Sequence, residues 1–207
     1  MNFKEKTVYQ IYPKSFQDSN GDGWGDLQGV ISRLDYLQKL GIEYIWFNAM
    51  FVSPQRDNGY DVEDYRAIDP RYGTMEDFTE LCREAKKRGI DIMLDMVFNH
   101  ASTRHVWFQK ALKGEEKYKD YFFFRKGKAD GSAPNNWNSK FGGPAWEYVK
   151  ELDEYYLHLY DVTQADLNWD NSEVRKELAD IVNFWRSKGV HGFRFDVVNL
   201  VSKGSFE

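Results

Sequence analysis

Hydrophobic positions along the chain change period in a repeating order. Thr7 to Tyr12 alternates apolar and polar residues and is rich in β-formers, the period-two pattern of a strand. From Leu27 onward Val30, Ile31, Leu34 and Leu37 recur at helical spacing, Gly41 follows as a stop, and Ile42 to Phe47 reads as a short buried strand. The succession then returns as a helix from about Met75 to Arg88, the stop Gly89, and a strand from Ile90 to Phe98. It returns once more near the end of the chain. Asp170 with Glu173 reads as a capping pair, Val174, Leu178, Ile181 and Trp185 form a helix stripe, and Gly189 stops it before a fourth strand at Gly192 to Asn199. Strand, helix, strand in close succession is the unit of a parallel sheet. The predicted fold class is therefore α/β: the N-terminal half of a (β/α)8 TIM barrel, whose active sites lie at the C-terminal ends of the strands.

One stretch breaks the pattern. Between His100 and about Thr163 the sequence is polar, aromatic and Gly/Pro-containing, too long for an ordinary connection and too aromatic to be disordered. It predicts an inserted subdomain after the third strand. The expected organisation is residues 1–100 as the first part of the barrel, 101–163 as the insert, and 164–207 as the continuation through the fourth strand.

Composition narrows the partners. The net charge of −5, with Lys and Arg interspersed among Asp and Glu, argues against nucleic acid or an anionic membrane and for a small polar or neutral molecule. No apolar run approaches the ~18 residues of a membrane span, and Met-Asn-Phe-Lys-Glu-Lys lacks the apolar core of a signal peptide, so the chain reads as cytoplasmic. The single cysteine, Cys82, shares a helical stripe with Phe78, Leu81 and Ala85, which makes it a core thiol and leaves no disulfide.

Candidate chemistry gathers at the predicted strand ends. Gly192-Phe-Arg-Phe-Asp196 places Arg194 and Asp196 two residues apart, on one face of a strand. A fixed cation beside a carboxylate suits a carboxylate nucleophile, and it is equally the arrangement of a structural ion pair at a strand end. Asp61, Asp95, Asn99 and His100 fall at the ends of earlier strands or in the loops after them. A second feature is the loop Asp18-Ser-Asn-Gly-Asp-Gly-Trp-Gly-Asp26, in which Asp18, Asn20 and Asp22 alternate with small residues, Gly23 permits a sharp turn and Asp26 adds another oxygen. That is the opening of an EF-like loop for a hard cation, although position twelve is Gly29 where an EF-hand has Glu. Asx-turns closed by an Asp helix cap would use the same residues.

Three segments carry a resemblance. Asp95-x-x-x-Asn99-His100, Gln164-Ala-Asp-Leu-Asn168 and Gly192-Phe-Arg-Phe-Asp196, in that order, resemble signature regions of the alpha-amylase clan of glycoside hydrolases. With Tyr9-Gln-Ile-Tyr-Pro-Lys-Ser-Phe16 and Asn58-Gly-Tyr-Asp61 they resemble its exo-acting alpha-glucosidase branch, which includes trehalose-6-phosphate hydrolases and oligo-1,6-glucosidases. The resemblance implies that Asp196 is the nucleophile of a retaining reaction, with Arg194 beside it. It further implies that His100 and Asp61 bind hydroxyls of the terminal glucose, that Tyr60 is a stacking platform, that Asp95 supports the site and that Gln164 shapes the pocket. It also makes Asp18, Asn20, Asp22, Asp26 and the Trp24 carbonyl the ligands of a structural Ca2+, with Mg2+ as the alternative ion. Val197, directly after the nucleophile position, resembles members acting on alpha-1,6 bonds. Gln164 to Trp169, Ser139 to Gly143 and Asn199 to Lys203 resemble trehalose-6-phosphate hydrolases.

The resemblance also implies something these residues lack. A retaining glycosidase needs a second carboxyl ~5 Å from the nucleophile as general acid/base, and the family supplies it as a Glu at the end of a fifth barrel strand. The sequence ends at Glu207, a poor substitute just beyond the fourth strand. The expectations are thus an N-terminal part of an alpha-glucosidase, inactive by itself, with open strand edges prone to self-association. The alternative is a non-catalytic amylase-like or sugar-binding protein.

Overall fold

The computed structural model describes residues 3–206. In chain order the strands are β1 (Val8–Ile11), β2 (Tyr44–Phe47), β3 (Phe51–Val52), β4 (Asp64–Ile68), β5 (Asp91–Met96), β6 (His100–Ser102), β7 (Phe124–Arg125), β8 (Trp146–Val149), β9 (Glu154–Leu157), β10 (Gln164–Asp166) and β11 (Gly192–Phe195). The helices are α1 (Pro13–Phe16), α2 (Leu27–Ser32), α3 (Leu34–Lys39), α4 (Met75–Lys87), α5 (Val106–Leu112), α6 (Glu116–Lys119) and α7 (Ser172–Ser187). The chain divides into two compact units: residues 1–52, 65–96 and 181–195, and residues 53–64, 97–180 and 196–207.

The first unit holds a four-stranded parallel sheet in the order β1-β2-β5-β11. Its strands present Ile11, Ile45, Phe47, Ile92, Leu94 and Met96 as buried apolar side chains. The alternate positions, which point to the other face, include Gln10, Trp46, Asp95 and Arg194.

Three helix-to-strand turns share one device. Gly41, Gly89 and Gly189 adopt φ of +78°, +73° and +98°. Each amide donates to the carbonyl three residues back (Gln38, Lys86 and Arg186), and the amides of Ile42, Ile90 and Val190 donate to Leu37, Ala85 and Trp185. These are Schellman closures, in which a left-handed residue satisfies the last helical carbonyls and an apolar residue follows it inward. Each glycine identified in the sequence as a stop therefore also launches the next strand. α4 begins with equal definition, because the Thr74 hydroxyl accepts from the Asp77 amide while the Asp77 carboxylate accepts from the Thr74 amide.

The helix stripes are buried as expected, with particular corrections. Leu27, Val30, Leu34 and Leu37 are enclosed, but Ile31 is half-buried and the predicted single helix is broken at Arg33 into α2 and α3. Phe78, Leu81, Cys82 and Ala85 are buried along α4, and burial pushes the Cys82 thiol up to about 12, which makes it inert. Val174, Leu178, Ile181 and Trp185 are buried along α7. Trp185 stacks on Phe51 at 5.0 Å, meets Phe78 edge-on at 5.2 Å and donates its indole N–H to the Tyr65 carbonyl at 2.7 Å. The cap of α7 is Asn171, whose side-chain oxygen accepts from the Glu173 amide at 2.8 Å, and not the predicted Asp170. Asn fills that position as well as Asp, and the helix starts one residue later. The third predicted strand ends at Met96, two residues short of Phe98, and the fourth ends at Phe195 where Asn199 was expected.

The second unit is wider than the predicted insert, since it begins at Val97, runs to Asp180 and takes in 53–64 and 196–207. It contains the antiparallel pair β6–β10 and the three-stranded antiparallel sheet β7-β9-β8. Phe123, Ala145, Trp146 and Leu157 form its apolar centre, with Trp137 and Phe206 stacked on each other at 5.2 Å against it. Much of the aromatic surplus of the insert is thus core, while Phe141 and Tyr148 are exposed. Among the described residues no helix is long and apolar enough to cross a membrane, and Glu207 lies outside the described residues.

Candidate active site

In the first unit Arg194 and Asp95 occupy register-opposed positions on β11 and β5. Opposed residues of parallel strands project to the same side, so the two side chains meet without bending the backbone. The Arg194 Nη1 donates to both Asp95 oxygens at 2.9 and 3.0 Å. The Trp46 indole donates to Asp95 Oδ2 at 3.3 Å, and the guanidinium lies over the Trp46 ring at 5.2 Å. Asp95 is enclosed while the Arg194 side chain keeps 37% of its exposure. This fixes the orientation of Arg194 from beneath. The expected strand geometry shared by Arg194 and Asp196 stops short, because β11 ends at Phe195 and Val197 turns left-handed at φ +39°.

The second unit gathers most of the remaining candidates around β6 and β10. His100 opposes Asp166 in register. The His100 Nε2 lies 3.1 Å from the Tyr60 carbonyl and 3.2 Å from the Gln164 amide nitrogen, and Nδ1 lies 3.1 Å from the Asn99 amide nitrogen. The ring is 2% exposed and tilts against Tyr160 at 5.3 Å. Burial pulls its pKa below the usual histidine value, against the charges of Asp166 and Asp196. Gln164 is fully enclosed, donates to Asp57 at 2.9 Å and accepts from the Asp161 amide at 2.9 Å. Burial raises the pKa of Asp57, opposed by the Gln164 hydrogen bond. Asp61 is enclosed too, and accepts from the Ser53 hydroxyl at 2.8 Å and from the Arg56 and Asp57 amides at 3.0 and 3.1 Å. It holds together the loop that carries Tyr60.

Four participants escaped the sequence reading in role: Asp57, Asn99, Asp166 and Lys203. Asn99 and Asp166 stand inside the quoted motifs and Lys203 ends the segment from Asn199, so position was legible while pairing was not. The Lys203 ammonium reaches Asp166 Oδ2 at 2.8 Å, Asn99 Oδ1 at 2.6 Å and the Leu200 carbonyl at 2.7 Å, with its side chain 2% exposed.

The Asp18–Asp26 loop uses its oxygens on its own backbone. Asp18 accepts from the amides of Asn20, Gly21 and Gly23, Asn20 from Asp22, and Asp22 from Trp24. The Gly23 and Gly21 amides pull the Asp18 pKa below the carboxylate range. Asp26 caps α2 through the Gly29 amide and accepts from Ser19. Among the described residues no three His, Cys, Asp or Glu side chains converge as a metal-holding group. The hard-cation donors would be Asp18, Asn20, Asp22, Asp26 and the Trp24 carbonyl, a mixed oxygen set that suits Ca2+.

Comparison with known proteins gives the family. The profile described as "Alpha amylase, catalytic domain" matches residues 10–206. The chain belongs to that family. It is 58% identical over 196 residues to a trehalose-6-phosphate hydrolase of Escherichia coli, covering 95% of this chain and 35% of that protein. To an oligo-1,6-glucosidase of Bacillus cereus it is 52% identical over 202 residues, covering 97% and 36%. Among solved structures it resembles a trehalose-6-phosphate hydrolase of Bacillus licheniformis, with a TM-score of 0.96, 53% identity and coverage of 97% and 36%. An isomaltulose synthase of Protaminobacter rubrum matches with a TM-score of 0.96 and 49% identity, covering 99% and 37%. The chain thus spans about a third of the length of these relatives, and its fold is that of an unclosed part of the alpha-amylase barrel.

Proposed function

We propose that this chain is the N-terminal part of a retaining alpha-glucosidase acting on small sugars, with trehalose-6-phosphate the favoured substrate and alpha-1,6-linked isomalto-oligosaccharides the second. The observation that carries the proposal is the enclosed polar cluster around His100, within the electrostatic reach of Asp196. Asp196 attacks the anomeric carbon, the bond to the leaving oxygen breaks, and water later hydrolyses the glycosyl ester with retention. Arg194, positioned by Asp95, orients the nucleophile. Tyr60 stacks beneath the terminal glucose, His100 and Asp61 recognise its hydroxyls, and Gln164 holds the wall. The leaving oxygen needs a proton from a second carboxyl. The resemblance puts that group in barrel sequence beyond these residues, so the chain by itself turns over nothing.

The test is hydrolysis of p-nitrophenyl alpha-glucoside, trehalose-6-phosphate, isomaltose and sucrose by the chain, by the longer protein containing it, and by Asp196→Asn in each. We expect activity only in the longer protein, lost at least about 10³-fold on Asp196→Asn. Turnover by the chain itself would refute the missing acid/base. Activity in the longer protein unaffected by Asp196→Asn would refute the nucleophile. A preference for sucrose would move the protein toward the isomaltulose synthases it resembles.

We also infer that Asp18, Asn20, Asp22, Asp26 and the Trp24 carbonyl hold Ca2+, with Asp26 also capping α2. The ion would supply rigidity between β1 and α2 and no chemistry. Calcium at about 100 times its Kd should stabilise the fold by about 2.7 kcal/mol, read as a raised Tm that Asp22→Ala abolishes. An unchanged Tm in wild type would exclude the site.

A further inference from the structure

Lys203 is a buried cation to which the proposed reaction assigns no task. Its ammonium touches the Asp166 carboxylate, the Asn99 side-chain oxygen and the Leu200 carbonyl. An ammonium has only donors, so the atom of Asn99 facing it is the oxygen. The Asn99 NH2 then faces the other way, toward Asp166 Oδ2 at 3.2 Å and His100 Nδ1 at 3.1 Å. A donor aimed at Nδ1 requires Nδ1 to be the acceptor, which leaves the imidazole proton on Nε2, where the Tyr60 carbonyl receives it at 3.1 Å, while the Gln164 NH2 that lies 3.2 Å from the same nitrogen donates to Asp57 at 2.9 Å. Reversing the amide would set an NH2 against the ammonium and an oxygen against the Asp166 carboxylate, with two repulsions in an enclosed site.

We propose that Lys203 is a positioning residue: by fixing the Asn99 amide and neutralising Asp166, it holds His100 as the neutral Nε2–H tautomer. The proposal deepens the glucosidase reading, since it specifies the state of a residue given to sugar recognition, but its geometry stands without that reading. The charged and titratable groups around His100 are Asp166 on β10, Asp196 after β11, Asp57 in the loop carrying Tyr60, the Tyr160 ring, and Lys203 itself. The three carboxylates favour a charged ring. Lys203 is the cation that opposes them, in the same direction as burial. Burial also lowers the pKa of Lys203, against which the Asp166 ion pair works, so the two buried charges sustain each other.

The experiment is 15N NMR of histidine-labelled protein near pH 7, in solution or as a sediment, with His100 assigned by comparison with His100→Gln. Wild type should show one protonated nitrogen and one bare nitrogen, with the protonated one at Nε2. In Lys203→Met that signature should be lost to a charged or averaged ring, and His100 should titrate at higher pH; Lys203→Arg should restore it. A wild-type ring protonated at Nδ1, or charged at pH 7, overturns the proposal with no variant needed. So does a folded Lys203→Met with an unchanged His100 spectrum and titration. The readout involves no turnover, so failure of the glucosidase assignment leaves it standing, and its own failure leaves Asp196 untouched.

Discussion

His100 illustrates how an ionisable side chain can be held in one state by its surroundings. Its pKa is depressed chiefly by burial, so protons bind the unfolded chain more readily than the folded one. The stability this contributes is complete above the unfolded value of about 6.5 and is lost as pH falls from there toward the depressed folded value. The slope attributable to one such site is at most about 1.4 kcal/mol per pH unit. Asp57 acts with the opposite sign, because its raised folded pKa makes the native state the better proton acceptor at lower pH. The comparison must therefore be between proteins. Urea unfolding of wild type should weaken as pH drops below about 6.5, and His100→Gln should flatten that fall. Equal slopes in wild type and His100→Gln would show that the ring charges freely in the native state. The Asp95–Arg194 pair obeys a different logic: register opposition brings it together, and the Trp46 indole leaves its geometry few alternatives.

At the scale of elements, the glycine closures of α3, α4 and α7 are equivalent in hydrogen bonding but unequal in space. Gly41 and Gly89 have open surroundings, whereas a Cβ on Gly189 would lie 3.2 Å from the Cys82 Cβ. Alanine at Gly41 or Gly89 should cost about 1 kcal/mol for the left-handed backbone. Gly189→Ala should cost more, since it adds a contact against a buried residue of α4 that cannot withdraw freely. Urea midpoints of the three variants, with m unchanged, measure this directly. Equal losses would mean that α4 yields at Cys82. These closures were legible in the sequence because a glycine after a helical stripe and before an apolar run has one conformational purpose. The stripes of α4 and α7 and the parallel strands were legible for the same reason of period. β6 and β10 were not, because three-residue strands carry no detectable alternation and their pairing joins residues distant in sequence. The break at Arg33 was hidden too, since Leu34 and Leu37 continue the spacing across it. In the candidate site, residue types at strand ends were visible, Asn99 among them, and the pairings made by Lys203, Asn99 and Asp57 were not. Side-chain pairing across the insert follows from the fold and has no local signature.

At the scale of the molecule, the four-stranded sheet ends in β1 and β11, each with one hydrogen-bonded neighbour among the described strands. Parallel strands have a full row of amides and carbonyls to satisfy on each side, and a row facing solvent is a template for another chain. Charge is the usual defence, but β1 reads Val-Tyr-Gln-Ile with no charged residue and Val8 38% exposed. In the relatives the matched region is about a third of the protein, and in a closed barrel each edge strand has a second partner. The chain by itself should therefore associate through β1 and β11, with a sedimentation coefficient that rises with concentration. Val8→Lys should oppose this association by placing a charge on the β1 edge while leaving the β1–β2 register intact. A single monomeric species across the concentration range, with a sharp melt independent of concentration, would show that the edges are already protected. Loss of association in Val8→Lys with a retained fold would instead locate the contact at β1, the strand that closure of the barrel would otherwise cover.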